Sequence, residues 1–390
     1  MNDYPDHGPT SFNRRGPFYR LQRRLGLLTE TDLAVRRRAL LLSAFAWLPL
    51  LLLALLQGHA IDPDHERAVL LDFSVYAFAI AIALFVLMEQ ASETRMALLM
   101  EQFTAQSILA DSSRERFSAA RERAHRLTDS WIAETVVAIG AYALSHAWLS
   151  RGAARSEAGT WFGAIVDGSL QPTLAGWWAL LVALPVFWFL LGRWLWRLIA
   201  WGLLLYDVAA CELRLVATHV DRCGGLAFVG EYPNTFLLFT LALSTVGAAT
   251  VLKLVVYANA SLMSFKFAVL GLIAFVLAAC VLPLTAFAPA LTRLKRERLL
   301  QYSALITRYY SAFDSRLIDA NPPSEALGPP ASLADLARSY DAVASIRPLP
   351  VSRRTFVPLV ISAVLPFAVV AATQMPVKQV LQSVKSLLLL

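Results

Sequence analysis

Seven separate runs of about twenty mainly apolar residues, near 39–58, 68–88, 131–149, 173–192, 236–258, 267–290 and 355–375, leave this chain few ways to fold. Hydrocarbon offers no hydrogen bonds, so a crossing segment must satisfy its backbone amides and carbonyls internally. Roughly 20 residues of helix span about 30 Å of hydrocarbon. The sequence therefore predicts an all-α fold, a polytopic transmembrane helical bundle of about seven spans. Composition agrees, with 57% hydrophobic and 16% charged residues and a mean hydropathy of +0.54. The first apolar run begins only after residue 38 and lacks a small-residue cleavage site, which reads as a retained span.

Basic residues set the expected orientation, because Lys and Arg resist translocation. With the N-terminus cytoplasmic, 28 of the 35 Lys and Arg residues fall inside. Eight of these 28 precede the first span, six lie in 89–130, four in 193–235 and ten in 291–354. Flipping the chain would reverse the ratio, so the expectation is a multi-pass membrane protein with its N-terminus in the cytoplasm. An odd number of spans then places the C-terminus outside. The formal charge of +7 is absorbed by topology and by attraction to anionic lipid, and does not point to nucleic acid.

The chain divides accordingly. A basic cytoplasmic segment, 1–38, contains a run at 18–28 whose basic and apolar residues alternate as in a helix lying on the inner leaflet. Spans one and two occupy 39–88, joined by a short acidic loop with Asp62, Asp64 and Glu66. Residues 89–130 form a cytoplasmic helical hairpin, with Ser112 and Glu115 as a capping box for its second arm, which runs on into the third span. Spans three and four occupy 131–192. In 193–235, Arg193 and Arg197 snorkel to the interface, and helical spacing through Leu213 and Ala217 carries a helix to Gly224-Gly225. Spans five and six occupy 236–290. The segment 291–354 holds a helix bearing Leu299, Tyr302, Ile306 and Tyr309, then a Pro/Gly-rich linker at 319–330, then a short helix capped by Ser332. Span seven and a tail occupy 355–390.

The most distinctive local string runs from Leu215 to Gly230 and contains His219-Val-Asp221-Arg222-Cys-Gly224-Gly225-Leu. Imidazole and carboxylate two residues apart converge where the backbone turns, so His219 and Asp221, with Cys223, are candidates for ligation or proton transfer. The same residues also suit a helix-ending turn, with His219 and Arg222 offsetting the helix dipole and the glycines supplying positive φ. The string resembles the H-P-D-x-x-G-G-L signature of uncharacterised multi-pass bacterial membrane proteins, with Val220 at the position of that proline. Over roughly 210–315, including Pro283 through Pro289, Tyr302 and Phe313, the chain is similar to them. That resemblance implies that His219, Asp221 and Gly224 matter, and implies no activity.

Few charges accompany the spans. Asp72 falls near the outer end of span two, Glu134 near the inner end of span three and Lys253 near the outer end of span five, and Asp72 with Lys253 is a candidate charge pair. Ser362, Pro366 and Thr373 share one face of span seven, and Thr240 and Ser244 one face of span five. These hydroxyls and prolines are the candidate lining of a pore or substrate path, or alternatively sites of close helix contact. Cys211, Cys223 and Cys280 form no paired or metal-binding spacing. No nucleotide-binding, zinc-protease or hydrolase motif occurs, and no cofactor or metal is implied.

Three functional classes follow, in this order. A channel or uncoupled transport protein accounts for the spans, hydroxyl faces and prolines. A membrane-embedded sensor or scaffold, docking a cytoplasmic protein partner through its protruding helices, accounts for the helix that continues past the inner leaflet. A membrane enzyme using His219 and Asp221 comes last. Small-residue faces also favour a homo-oligomer.

Overall fold

The computed structural model describes residues 17–27, 34–61, 68–105, 108–150, 160–166, 169–258, 260–317 and 331–374. The acidic loop with Asp62, Asp64 and Glu66, the 319–330 linker and the C-terminal tail lie outside them. The protein is an all-α, polytopic membrane bundle. Its helices are α1 (Pro17–Arg24), α2 (Val35–Leu56), α3 (Phe73–Ala105), α4 (Arg114–Thr128), α5 (Trp131–Ser150), α6 (Leu174–Ala209), α7 (Leu237–Tyr257), α8 (Lys266–Val281), α9 (Ala288–Leu317), α10 (Ala331–Ala344) and α11 (Arg353–Thr373).

Among the described residues, six helical runs are long and apolar enough to cross a membrane: α2, α3, α6, Ala227–Tyr257, Leu262–Ala312 and α11. With 20 residues, α5 has the length of one further crossing and packs along α6. Helices α3, α6 and α7 form the centre. Outside them, α2 lies on α3, α5 on α6, and α11 and α8 on α7. A short hairpin, β1 (Gly163–Val166) and β2 (Ser169–Pro172), caps the end where α6 begins. The contact is tight at Gly176, where a Cβ would fall 2.0 Å from the carbonyl oxygen of Phe162.

At the opposite, basic end the helices outrun the membrane. The 33 residues of α3 and the 36 of α6 measure about 50 Å or more, against roughly 30 Å of hydrocarbon. Their extensions pack with α4 around Phe103, which lies 4.9 Å from the Phe228 ring and 6.1 Å from that of Phe117. Helix α10 covers the Leu299 and Tyr302 side of α9.

Several expectations fail here for local reasons. Helix α6 stops at Ala209 rather than at Gly224. Beyond it the backbone turns extended and pairs with the α3–α4 connection. Ala110 N–H donates to Glu212 O and Arg214 N–H to Ile108 O, across an antiparallel bridge between Leu109 and Leu213. The helical spacing of Leu213 and Ala217 thus belongs to a segment whose hydrogen bonds are satisfied elsewhere.

The capping box also dissolves. The Ser112 hydroxyl reaches Glu212, Ser113 Oγ accepts the Glu212 amide, and α4 starts at Arg114 without a side-chain cap. Nor does α4 run on into the membrane, because the chain breaks at Asp129 and Ser130, whose hydroxyl takes the Ala133 amide at the start of α5. Helix α10 begins at Ala331, so Ser332 lies inside it rather than capping it.

Candidate functional site

Three polar clusters stand out among the described residues. The largest lies at the basic end of the bundle, where α2, α3, α5 and α6 meet beneath α1. Glu89 is its hub. One carboxylate oxygen lies 2.8 Å from Arg38 Nη2 on α2, and the other lies 2.7 Å from Arg193 Nη1 and 3.8 Å from Arg197 Nη1 on α6. Glu134 of α5 adds a contact of 3.4 Å to Arg193 Nε and accepts the Phe18 amide of α1 at 2.8 Å.

All three arginines are buried, at 2% exposure for Arg38, 6% for Arg193 and 4% for Arg197. Arg193 and Arg197 therefore do not snorkel to water as the sequence suggested. They turn inward, and their planes lie over the Phe18 and Trp194 rings, each 4.8 Å from the centroid. Burying charge is tolerable only where partners replace water, and here every ion has an opposite charge within reach.

Sequence reasoning missed this site. Glu89 sits one residue past the apolar run of span two and reads as the first polar residue of a loop. The signal was its register: Ile82, Phe85, Val86 and Glu89 follow helical spacing, and all four are buried.

The second cluster lies at the far end. Asp72 Oδ2 sits 3.1 Å from Lys253 Nζ and 2.9 Å from Trp161 Nε1, and Asp72 also takes the Ser74 amide and hydroxyl. The structure thus brings together the two residues of the candidate charge pair, and joins α3, α7 and the hairpin through them. Beside Asp72 is a partly open cavity of about 60 Å³, walled by Trp47, Phe78, Ala179 and Ala183. Ala179–Ala183 is a π-helical turn within α6.

The third cluster is the His219–Gly225 turn on the basic side. Burial pushes the Asp221 carboxyl up, but amide hydrogen bonds from Cys223, Ala227 and Gly225, with His219 beside it, outweigh that and hold it below the ordinary 3.8. The amides lie 2.8 Å (Cys223), 3.0 Å (Gly225) and 3.0 Å (Ala227) away, and His219 Nδ1 lies 2.9 Å away. Positive φ values at Arg222 (58°), Gly224 (65°) and Gly225 (97°) curl the backbone around the carboxylate. From the 344–353 connection, Arg347 fixes the outside of the turn by donating its amide to Arg222 O and Nη2 to Asp221 O.

The oxygens of Asp221 are thus occupied by its own backbone, and burial pushes the Cys223 thiol up, away from thiolate. Among the described residues, no three His, Cys, Asp or Glu side chains group as a metal ligand set. The turn holds geometry rather than presenting free ligands. A lowered folded-state pKa means that Asp221 stabilises the fold above its unfolded value, and that this contribution is lost as pH falls through the folded one. The melting temperature should therefore be flat from pH 7 to about pH 5 and fall below about pH 4, more steeply in the native protein than in Asp221→Asn. Parallel curves would exclude the carboxylate as the cause.

The candidate path residues are placed differently. The hydroxyls of Ser362, Thr373 and Thr240 bond the carbonyls of Leu359, Val370 and Phe236 on their own helices. Ser244 is fully buried. Helix α11 turns Leu359, Ala363 and Val370 into the bundle, leaving Ser362 and Pro366 partly covered beside them.

No family model, curated protein or solved structure matches this chain.

Proposed function

We propose that this is a multi-pass protein of a bacterial inner membrane, N-terminus in the cytoplasm, that works as a membrane-embedded scaffold or sensor and docks a cytoplasmic protein partner. The observation that carries this is the continuity of α3 and α6 from the membrane into a packed basic-side platform with α4, α9 and α10. Such rods transmit position from the bilayer to a docking surface. The Glu89 cluster clamps four helices at the point where they leave the hydrocarbon. The imbalance of Lys and Arg supports the orientation, and the likeness of the 219–226 string to bacterial multi-pass proteins supports the setting.

A channel or uncoupled transporter draws on the hydroxyl faces of α7 and α11. Those hydroxyls are largely spent on their own helices, which weighs toward the scaffold.

The test pairs two measurements on the intact chain. Reconstituted protein should pass no ions or small solutes above lipid-only liposomes, and cross-linking in native membranes should capture a partner. The capture should be lost in Glu122→Lys/Arg126→Glu on the exposed face of α4. Deleting the hairpin would be uninformative, because Phe103 and Phe117 belong to the core. Flux that is abolished by a bulky residue at Ser362 would overturn the scaffold in favour of a channel.

A further inference from the structure

An open groove of about 700 Å³ runs up the outside of the bundle between α1, α5 and α6. Its walls are Phe18 and Leu21 of α1, Trp131, Ile139 and Tyr142 of α5, and Phe189 of α6. Trp131, Ile139 and Tyr142 are each more than half exposed, so this is a surface that the chain does not cover itself. Along α5 the walls run from Trp131 to Tyr142, about 16 Å at 1.5 Å per residue. That is close to half of a 30 Å hydrocarbon core, the depth of a single leaflet.

The two ends of the groove differ in chemistry. Toward mid-membrane it is apolar. At the membrane boundary it opens beside α1, an amphipathic helix seated inward by Phe18 and Gln22, with Arg20 and Arg24 on the opposite, exposed face. Arg20 is 59% exposed, with its nearest described carboxylate, Asp129, 3.8 Å away. Glu134, the one acidic residue in the wall, is already engaged by Arg193 and the Phe18 amide. Trp131 stands at the same level, where indole favours the headgroup region.

We infer that this groove is a binding site for one anionic phospholipid of the leaflet facing the basic end, its acyl chain along α5 and its phosphate at Arg20 and Arg24. Depth and apolar walls fit a lipid, and the exposed Arg20 and Arg24 of α1, the helix that supplies the Phe18 and Leu21 wall, favour an anionic headgroup over a neutral one or a second copy of the chain. The lipid would also hold α1 in place from outside, as Glu134 and Arg193 hold it from within. The site rests on the chain being embedded in a bilayer and is independent of any protein partner.

Delipidated full-length protein titrated with phosphatidylglycerol or phosphatidylcholine, and read by native mass spectrometry, tests it. One phosphatidylglycerol should bind at least about tenfold more tightly than phosphatidylcholine, about 1.4 kcal/mol. Ala138→Trp, which fills the groove, should abolish this binding. Arg20→Ala/Arg24→Ala, two exposed positions that leave the groove open, should bring phosphatidylglycerol down to the phosphatidylcholine level. Equal binding of the two lipids by the native chain, or a preference that survives the arginine substitutions, would overturn the site. So would a native dimer that Ala138→Trp converts to monomer without changing lipid binding.

Discussion

Glu89→Ala should destabilise the detergent-solubilised protein by about 3–5 kcal/mol, the cost of leaving a buried charge without its partner. The substitution strips the hub from three guanidinium groups that are at most 6% exposed, while Glu134 still answers Arg193. Water cannot reach these arginines readily, so the deficit falls on the folded state. An unfolding midpoint in rising denaturing detergent measures it. A second substitution, Arg38→Met, should recover part of the loss, because it removes one of the buried charges that Glu89 answers, the guanidinium 2.8 Å from its carboxylate. Strict additivity of the two changes would mean that the cluster does not act as a unit. A loss below about 1 kcal/mol for Glu89→Ala alone would show that the ions find other partners.

The second large effect is expected at Asp221. Asp221→Ala removes the acceptor for the amides of Cys223, Gly225 and Ala227, and each amide that stays dry costs about 1–3 kcal/mol. Some of that is recovered by water, since Asp221 lies near the surface, and a net loss of about 3 kcal/mol is expected. Amide hydrogen exchange over 211–227 should rise sharply while exchange in the membrane helices stays slow. His219→Ala should do far less, because the imidazole is 43% exposed and touches one carboxylate oxygen that the Cys223 and Gly225 amides already serve. If His219→Ala proved as damaging as Asp221→Ala, the imidazole would have a role that the turn geometry does not supply.

These two carboxylates also mark how far the sequence could be read. Apolar runs of crossing length are a property of composition and spacing alone, and the helices appear where those runs lie. Asp72 and Lys253 could be matched because each ends an apolar run at the same depth, and depth is nearly a one-dimensional coordinate in a bilayer. Glu89 could not be placed this way. Whether it faced water or its neighbours depended on the rotation of α3 and on the inward turn of Arg193 and Arg197 from a different helix. The segment 210–217 failed for another reason. Leu213 and Ala217 obey a helical period, but a short apolar pattern does not reveal that Ile108 and Ala110 offer the backbone a better pairing.

Glu89 divides α3 evenly, with 16 residues from Phe73 to the clamp and 16 from the clamp to Ala105, each arm about 24 Å long. A stiff rod gripped at its midpoint behaves as a balanced lever. Tilting it about the arginine fulcrum carries the Asp72 end and the Phe103 end through equal arcs in opposite directions. In the proposed sensor, a small sideways push on the hairpin side would arrive reversed at the aromatic knot on the basic side.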